Sequence, residues 1–332
     1  MWWRSLPLSS DLAQRVLARD RDAVAEALNL VEDRRAGPRE AALALLDRLE
    51  REAPFPGAPR IGITGPPGAG KSSLLDALVR HLRSRGERLA IVAVDPSSPK
   101  SGGALLGDRI RVRAASADPG VFLRSMAARD RLGGLSEATR AAVVILGAAF
   151  DRVFVETVGV GQSEVEAAAL VDTLVYVANP GTGDWLQFMK AGVLEAPDVF
   201  AVNKADLGAA ARTTAGELEG GMGLGEATDT HWRRPVILVS AREGTGIEAL
   251  VGALTAHRQA LEAAGALRER RRRSAESWIL DGLERRYGSY GLERCGGREA
   301  LRARLAEGPA ASSFARLAEL GREIEDSLGK PA

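Results

Sequence analysis

The sequence predicts an α/β fold: a mostly parallel sheet covered by helices on both faces, with helical N- and C-terminal extensions. Three observations predict it. Short apolar runs at 61–64, 89–94, 121–126, 153–155, 174–178, 199–202 and 236–239 alternate with helical patterns, as in a parallel sheet buried on both faces. Polar clusters follow at least five of these runs, and ligands of open parallel sheets bind beyond the carboxyl ends of strands. Outside the alternation, at 12–52 and from 250 onward, apolar residues recur at helical spacing.

Composition bounds the rest. A chain of 332 residues accommodates one large domain, or one domain with appendages. Hydrophobic content of 45% and charged content of 27% are ordinary for a globular protein. A formal net charge of +1 gives no push toward nucleic acid or membrane surfaces. No apolar run approaches a bilayer span. Asp11, Arg15 and Arg19 follow the N-terminal Met1-Trp2-Trp3-Arg4 too closely for a signal-like core, so a cytoplasmic protein is expected. The single cysteine, Cys295, excludes internal disulfides and cysteine-built metal sites. Only five of the 45 basic residues are lysine, and Lys71, Lys100, Lys190 and Lys204 all fall in or beside the motifs below.

In chain order, Val24, Ala27, Leu28 and Val31 share one helical face. After a Gly37-Pro38 break, Ala42, Leu45, Leu46 and Leu49 share another. Pro54, Pro56, Gly57 and Pro59 form a linker, placing boundaries at 1–56, 57–262 and 263–332. The strand at 61–64 leads into Gly65-Pro66-Pro67-Gly68-Ala69-Gly70-Lys71-Ser72 and then a helix with Leu74, Leu75, Leu78 and Leu82 on one face. The segment 136–150 reads as a helix with Ser136 as N-cap. In the tail, 268–273 is an arginine run that reads as a solvated helix face. Trp278, Ile279 and Leu283 beside it form a stripe for packing or for a partner helix. A break at 288–297 precedes a face of Phe314, Leu317, Leu320 and Ile324.

The octapeptide matches the phosphate-binding pattern of Gly, four residues, Gly, Lys, Ser or Thr, in the strand–loop–helix context that gives it meaning. Gly65, Pro67, Gly68, Ala69 and Gly70 shape a cradle of backbone N–H groups, and the helix N-terminus that includes Ser73 adds its positive dipole end. Lys71 reaches the β- and γ-phosphates, and the Ser72 hydroxyl is placed for Mg²⁺. Asn203-Lys204-Ala205-Asp206 follows a strand as a guanine-reading turn. A carboxylate at its fourth position accepts from the ring N–H and exocyclic amine of guanine and mismatches adenine. Ser240, Ala241 and Arg242, at the end of the next strand, complete the predicted GTP/GDP site. Carboxylates for Mg²⁺ are Asp95 and Glu156 at strand ends and Asp108 on a glycine-rich loop. Glu156 stands where a Walker B carboxylate belongs, and Gly159 presents its N–H to the γ-phosphate. Lys190 and Arg111 are the cations available to neutralise charge during hydrolysis. Gln162, not adjacent to Gly159, is given no role in orienting water.

Several longer runs carry a resemblance: Val94-Asp95-Pro96-Ser97-Ser98-Pro99, the glycine-rich 101–109, Leu132-Gly133-Gly134-Leu135-Ser136, the run 156–164, and Asn203-Lys204-Ala205-Asp206. Together they resemble the MeaB/ArgK family of G proteins (MMAA in animals), over nearly the whole chain. The resemblance implies a P-loop NTPase of the SIMIBI class that hydrolyses GTP to GDP and phosphate. It also implies a chaperone for a cobalamin-dependent acyl-CoA mutase, typically methylmalonyl-CoA mutase, gating adenosylcobalamin loading and protecting or reactivating that enzyme. A homodimer built through the C-terminal helices is implied as well. By position, Ser72, Asp95, Asp108 and Glu156 surround Mg²⁺, the loop 180–190 matches a third switch with Lys190 as catalytic cation, and Asp108 and Arg111 join it at the reacting phosphate. Asp130 departs from the family's usual glycine. Rival readings are a nickel-type metallochaperone, a transport kinase and a nucleotide-binding scaffold without turnover. The first wants clustered Cys and His, whereas Cys295, His81, His231 and His257 are isolated in sequence.

Overall fold

The computed structural model describes residues 7–33, 35–96, 118–128, 137–157, 169–182, 196–223, 232–307 and 312–329. The chain divides into two compact units: Met1–Gly57 with Val144–Ala149 and Arg268–Ala332, and Ala58–Val143 with Phe150–Leu267.

The second unit is built on a seven-stranded sheet of β1 (Arg60–Thr64), β2 (Leu89–Pro96), β3 (Val121–Ala128), β4 (Arg152–Glu156), β5 (Thr173–Ala178), β6 (Val199–Val202) and β7 (Val236–Leu238). The strand order is β3-β2-β4-β1-β5-β6-β7. Every pairing is parallel, so the sheet is more uniform than the sequence predicts. β2 and β3 each run two residues past their apolar stretch, through the Asp95↔Ala127 and Pro96↔Ala128 pairs.

One face of the sheet carries α4 (Lys71–Arg83) and α7 (Ile247–Ala263), with Leu74, Leu75, Leu78 and Leu82 fully buried against Ile61, Ile63, Phe154 and Val175. Each such leucine stabilises the unit by about 1.5–3 kcal/mol, which outweighs any local preference of the loop that precedes the helix. The other face buries Tyr176 and Phe200, ring centroids 5.9 Å apart, under Ala211 and Leu218 of α6 (Ala209–Gly223). Among the described residues, α5 (Glu137–Ala149) also lies between strands, and its predicted cap, Ser136, falls outside them.

The first unit contains α1 (Pro7–Leu17), α2 (Arg21–Glu32) and α3 (Ala36–Glu52) with α8 (Ala266–Glu293), α9 (Gly297–Glu307) and α10 (Ser313–Leu328). Asp20 caps α2 by accepting from the N–H groups of Asp22 (2.9 Å) and Ala23 (3.2 Å). Gly37-Pro38 does not separate helices; both residues lie in the first turn of α3, where proline's missing N–H has no intrahelical partner to lose.

The tail's apolar stripe takes the first of its two expected roles, packing, and the tail departs from its sequence reading only in where the helix breaks. Its apolar stripe has cover inside the chain: Ile279, Leu280 and Leu283 pack with Leu292, Leu301, Leu320 and Ile324, and Trp278 meets Phe314 at 5.0 Å. Glu50 of α3 also holds α10, accepting from the Ser313 N–H (2.8 Å) and hydroxyl (3.0 Å). The break expected across 288–297 is instead a kink at Gly288 (φ 70°, ψ 176°) inside α8, with a second interruption around Gly296. The arginine run behaves as a solvated face: Arg272 and Arg273 both pair with Glu269, and the Arg268 guanidinium lies 4.4 Å from the Phe55 ring centroid.

Candidate nucleotide site

Three strand ends meet in the second unit. Where β1 stops, Gly65 takes φ 139°, and a Cβ there would lie 2.2 Å from the carbonyl oxygen of Val177 on β5, so only glycine lets the loop leave the sheet. Gly70 (φ 86°) turns the chain into α4, and a Cβ there would lie 2.5 Å from Asn203 Nδ2. Ala69 is buried, while Pro67 and Gly68 are exposed on the rim and Ser73 is exposed in the first turn of α4. Lys71, the first residue of α4, is buried, and its ammonium donates to the carbonyls of Gly65 (2.8 Å) and Pro66 (3.2 Å). The cation therefore lies across the loop, over the concavity that the N–H groups of such a loop create for anions.

β4 lies beside β1 with Glu156 opposite Ile63. That register brings the Ser72 hydroxyl to 2.6 Å from Glu156 Oε1, to which it donates. Thr157 continues the alignment, its N–H donating to Ile63 O (3.1 Å) and its hydroxyl to Thr64 Oγ1 (3.2 Å). A hydroxyl and a carboxylate side by side are hard oxygen donors of the kind that fits Mg²⁺, which otherwise keeps water and phosphate oxygens. Asp95 belongs to the carboxyl end of β2. Asp108, Arg111, Gly159 and Lys190 lie outside the described residues. Among the described residues there is no group of three or more His, Cys, Asp or Glu that could hold a metal ion.

The turn after β6 is bound to both neighbouring loops. Lys204 sits at φ 57°, and the turn is held by Asn203 N–H to Ala178 O (3.1 Å) and Ala205 N–H to Val239 O (2.9 Å). Buried Asn203 donates to Ala69 O (2.9 Å) and accepts from the Ala241 N–H (3.1 Å). Asn203 thus joins the phosphate loop to the segment after β7, and the Ala241 N–H is engaged within the protein rather than presented outward. The Lys204 ammonium donates to Gly68 O (2.9 Å) and to Asn179 Oδ1 (2.8 Å). Asn179 was visible in the sequence only as part of a strand-end cluster; no spacing rule ties it to Lys204.

Asp206 ends the turn. Its Oδ1 accepts from the Ser240 hydroxyl at 2.6 Å, and Arg242 reaches Oδ2 at 2.9 Å. The Ser240 hydrogen bond, reinforced by the positive charges of Arg242 and Lys204, holds the carboxyl below the usual aspartate range, so it is an anion at neutral pH. An anionic acceptor anchored through one oxygen is suited to a fork of two N–H donors such as guanine presents.

Comparison with known proteins places the chain in a family. The family model for "Methylmalonyl Co-A mutase-associated GTPase MeaB" matches residues 24–287. A "Probable GTPase" of Mycobacterium tuberculosis is 45% identical over 270 residues, 80% of each chain. The GTPase ArgK of Escherichia coli is 36% identical, over 80% of this chain and 81% of its own. The mouse mitochondrial homologue of the methylmalonic aciduria type A protein is 37% identical, over 78% of this chain and 65% of its own. The crystal structure of an LAO/AO transport system kinase matches with a TM-score of 0.70 at 27% identity, covering 96% of this chain and 97% of that one. With an α/β P-loop fold, a complete phosphate loop and these relatives, the chain belongs to the MeaB family of methylmalonyl-CoA mutase-associated GTPases and is itself a GTPase.

Proposed function

We propose that GTP binding and hydrolysis by this chain gate adenosylcobalamin loading onto methylmalonyl-CoA mutase or a related cobalamin-dependent acyl-CoA mutase, and protect or reactivate that enzyme. The observation that carries the reading is the family match, which runs from the N-terminal helices through the nucleotide unit into α8. In this reading Lys71 exchanges its two loop carbonyls for phosphate oxygens, a stronger charge-assisted contact. Asp206 receives the guanine edge. Ser72 and Glu156 would hold Mg²⁺, with Asp95 and Asp108 completing the set; the ion supplies charge neutralisation on the phosphates. Lys190 and Arg111 stabilise charge at the reacting phosphate, and Gly159 donates its N–H there. Hydrolysis needs such positioning more than covalent chemistry.

A partner that binds the hydrolysis-ready arrangement better than the resting one raises turnover by that differential affinity alone. A homodimer, implied by the family resemblance, belongs to the same proposal. Tyr290 and Leu328 are the large apolar side chains exposed on the described tail. The test titrates the purified chain with a methylmalonyl-CoA-type mutase, following phosphate release and adenosylcobalamin transfer, with light scattering for the oligomeric state. Faster phosphate release and nucleotide-dependent loading are expected. Turnover that ignores the mutase, with loading indifferent to nucleotide, would reject the partner.

A further inference from the structure

We infer that Arg242 is a built-in competitor of guanine for Asp206, so that guanine nucleotide binds in exchange for an ion pair. The inference rests on reading the turn after β6 as the guanine subsite and goes beyond it by giving Arg242 a role opposed to simple binding. Asp206 is one-tenth exposed, and its two oxygens have different partners. Oδ1 is held by the fully buried Ser240, whose hydroxyl also accepts from the Glu243 N–H at 3.2 Å. That contact is a fixed part of the loop. Oδ2 is met by a guanidinium on a side chain that is 74% exposed and therefore free to leave.

The chemistry of the two competitors matches. The edge that guanine offers a carboxylate, ring N1–H beside the C2 amine, is a guanidine fragment, the same donor fork that arginine carries. Arg242 also has somewhere to go. The nitrogen that meets Asp206 lies 3.1 Å from Glu243 Oε1, half-exposed at the rim. The guanidinium is thus shared between an inner carboxylate that reads the base and an outer one that does not. Guanine entering the turn shifts Arg242 onto Glu243. An arginine that simply packed on the base would require no carboxylate on either side of it.

An exposed ion pair of this kind corresponds to a change of about two- to five-fold in an equilibrium constant. The test measures GDP and guanosine affinities by calorimetry on the full chain, for the parent, Arg242→Ala, Glu243→Gln and Asp206→Asn. Arg242→Ala is expected to tighten both ligands about two- to five-fold, with the gap narrowing as added salt screens the pair in the parent. Glu243→Gln, which removes the outer resting place, is expected to weaken both. These opposite signs from adjacent residues are not produced by a merely structural role. Unchanged or weaker binding by Arg242→Ala overturns the inference. Asp206→Asn separates it from the underlying reading: a shift of preference toward xanthosine diphosphate upholds the guanine subsite, and no shift overturns that subsite whatever Arg242 does.

Discussion

Asn203→Ala tests how the site is held together. Asn203 is 2% exposed and spans two loops, donating to Ala69 O at 2.9 Å and accepting from the Ala241 N–H at 3.1 Å. Alanine removes both bonds and leaves a buried carbonyl and a buried N–H without that partner. Each such loss costs about 1–2 kcal/mol, giving roughly 2–4 kcal/mol in all. For a unit of this size about 1 kcal/mol moves the midpoint by roughly 2–4 °C, so the thermal transition is expected to fall by roughly 4–16 °C. Asn203→Asp should be no better than alanine. It keeps the acceptor for Ala241 but turns an anionic oxygen toward the carbonyls of Ala69 and Gly70, which lie 2.9 and 3.4 Å from the present donor. Calorimetric melting of the nucleotide-free variants, with GDP affinity measured in parallel, reads the effect. A transition within about 1 °C of the parent, or an aspartate variant as stable as the parent, would refute the assignment of Asn203 as the brace between phosphate loop and base turn.

Two further outcomes are expected. Lys71→Ala should weaken triphosphate binding and abolish hydrolysis because its ammonium is already placed across the loop, whereas Lys190→Ala, acting on the transition state, should spare affinity and reduce turnover; equal loss of affinity in both would sink the role given to Lys190. Because Ser240, and then Arg242 and Lys204, lower the Asp206 pKa, its folded-state contribution is complete above the ordinary aspartate value of about 3.9 and is lost only as pH falls through the lowered one. GDP affinity titrated across pH should therefore be flat from about pH 8 to about pH 5 so far as this carboxylate is concerned, and a fall centred near neutrality would show that another group controls the base turn.

The sequence by itself determined the phosphate loop and the fold class, whose causes are local. The glycine spacing of 65–72 and the helix after it are legible because backbone conformation and anion cradle arise within a few residues. The α/β alternation was equally legible, because apolar runs buried on both faces have few other architectures open to them. The order β3-β2-β4-β1-β5-β6-β7 was not, since nothing within a strand names its neighbour. The same limit applies to the pairs that build the site. Ser72 meets Glu156 across 84 residues of sequence, and Asn203 meets Ala69 across 134. The motifs identify both ends of these contacts without showing that Asn203 braces the loop or that Lys204 is tied to Asn179. The tail makes the point from the other side. Helical periodicity marks Trp278, Ile279 and Leu283 as a face to be covered, but the hydrophobic effect that drives burial is non-directional. Only the tertiary structure could decide that the cover is Phe314, Leu320 and Ile324 of the same chain.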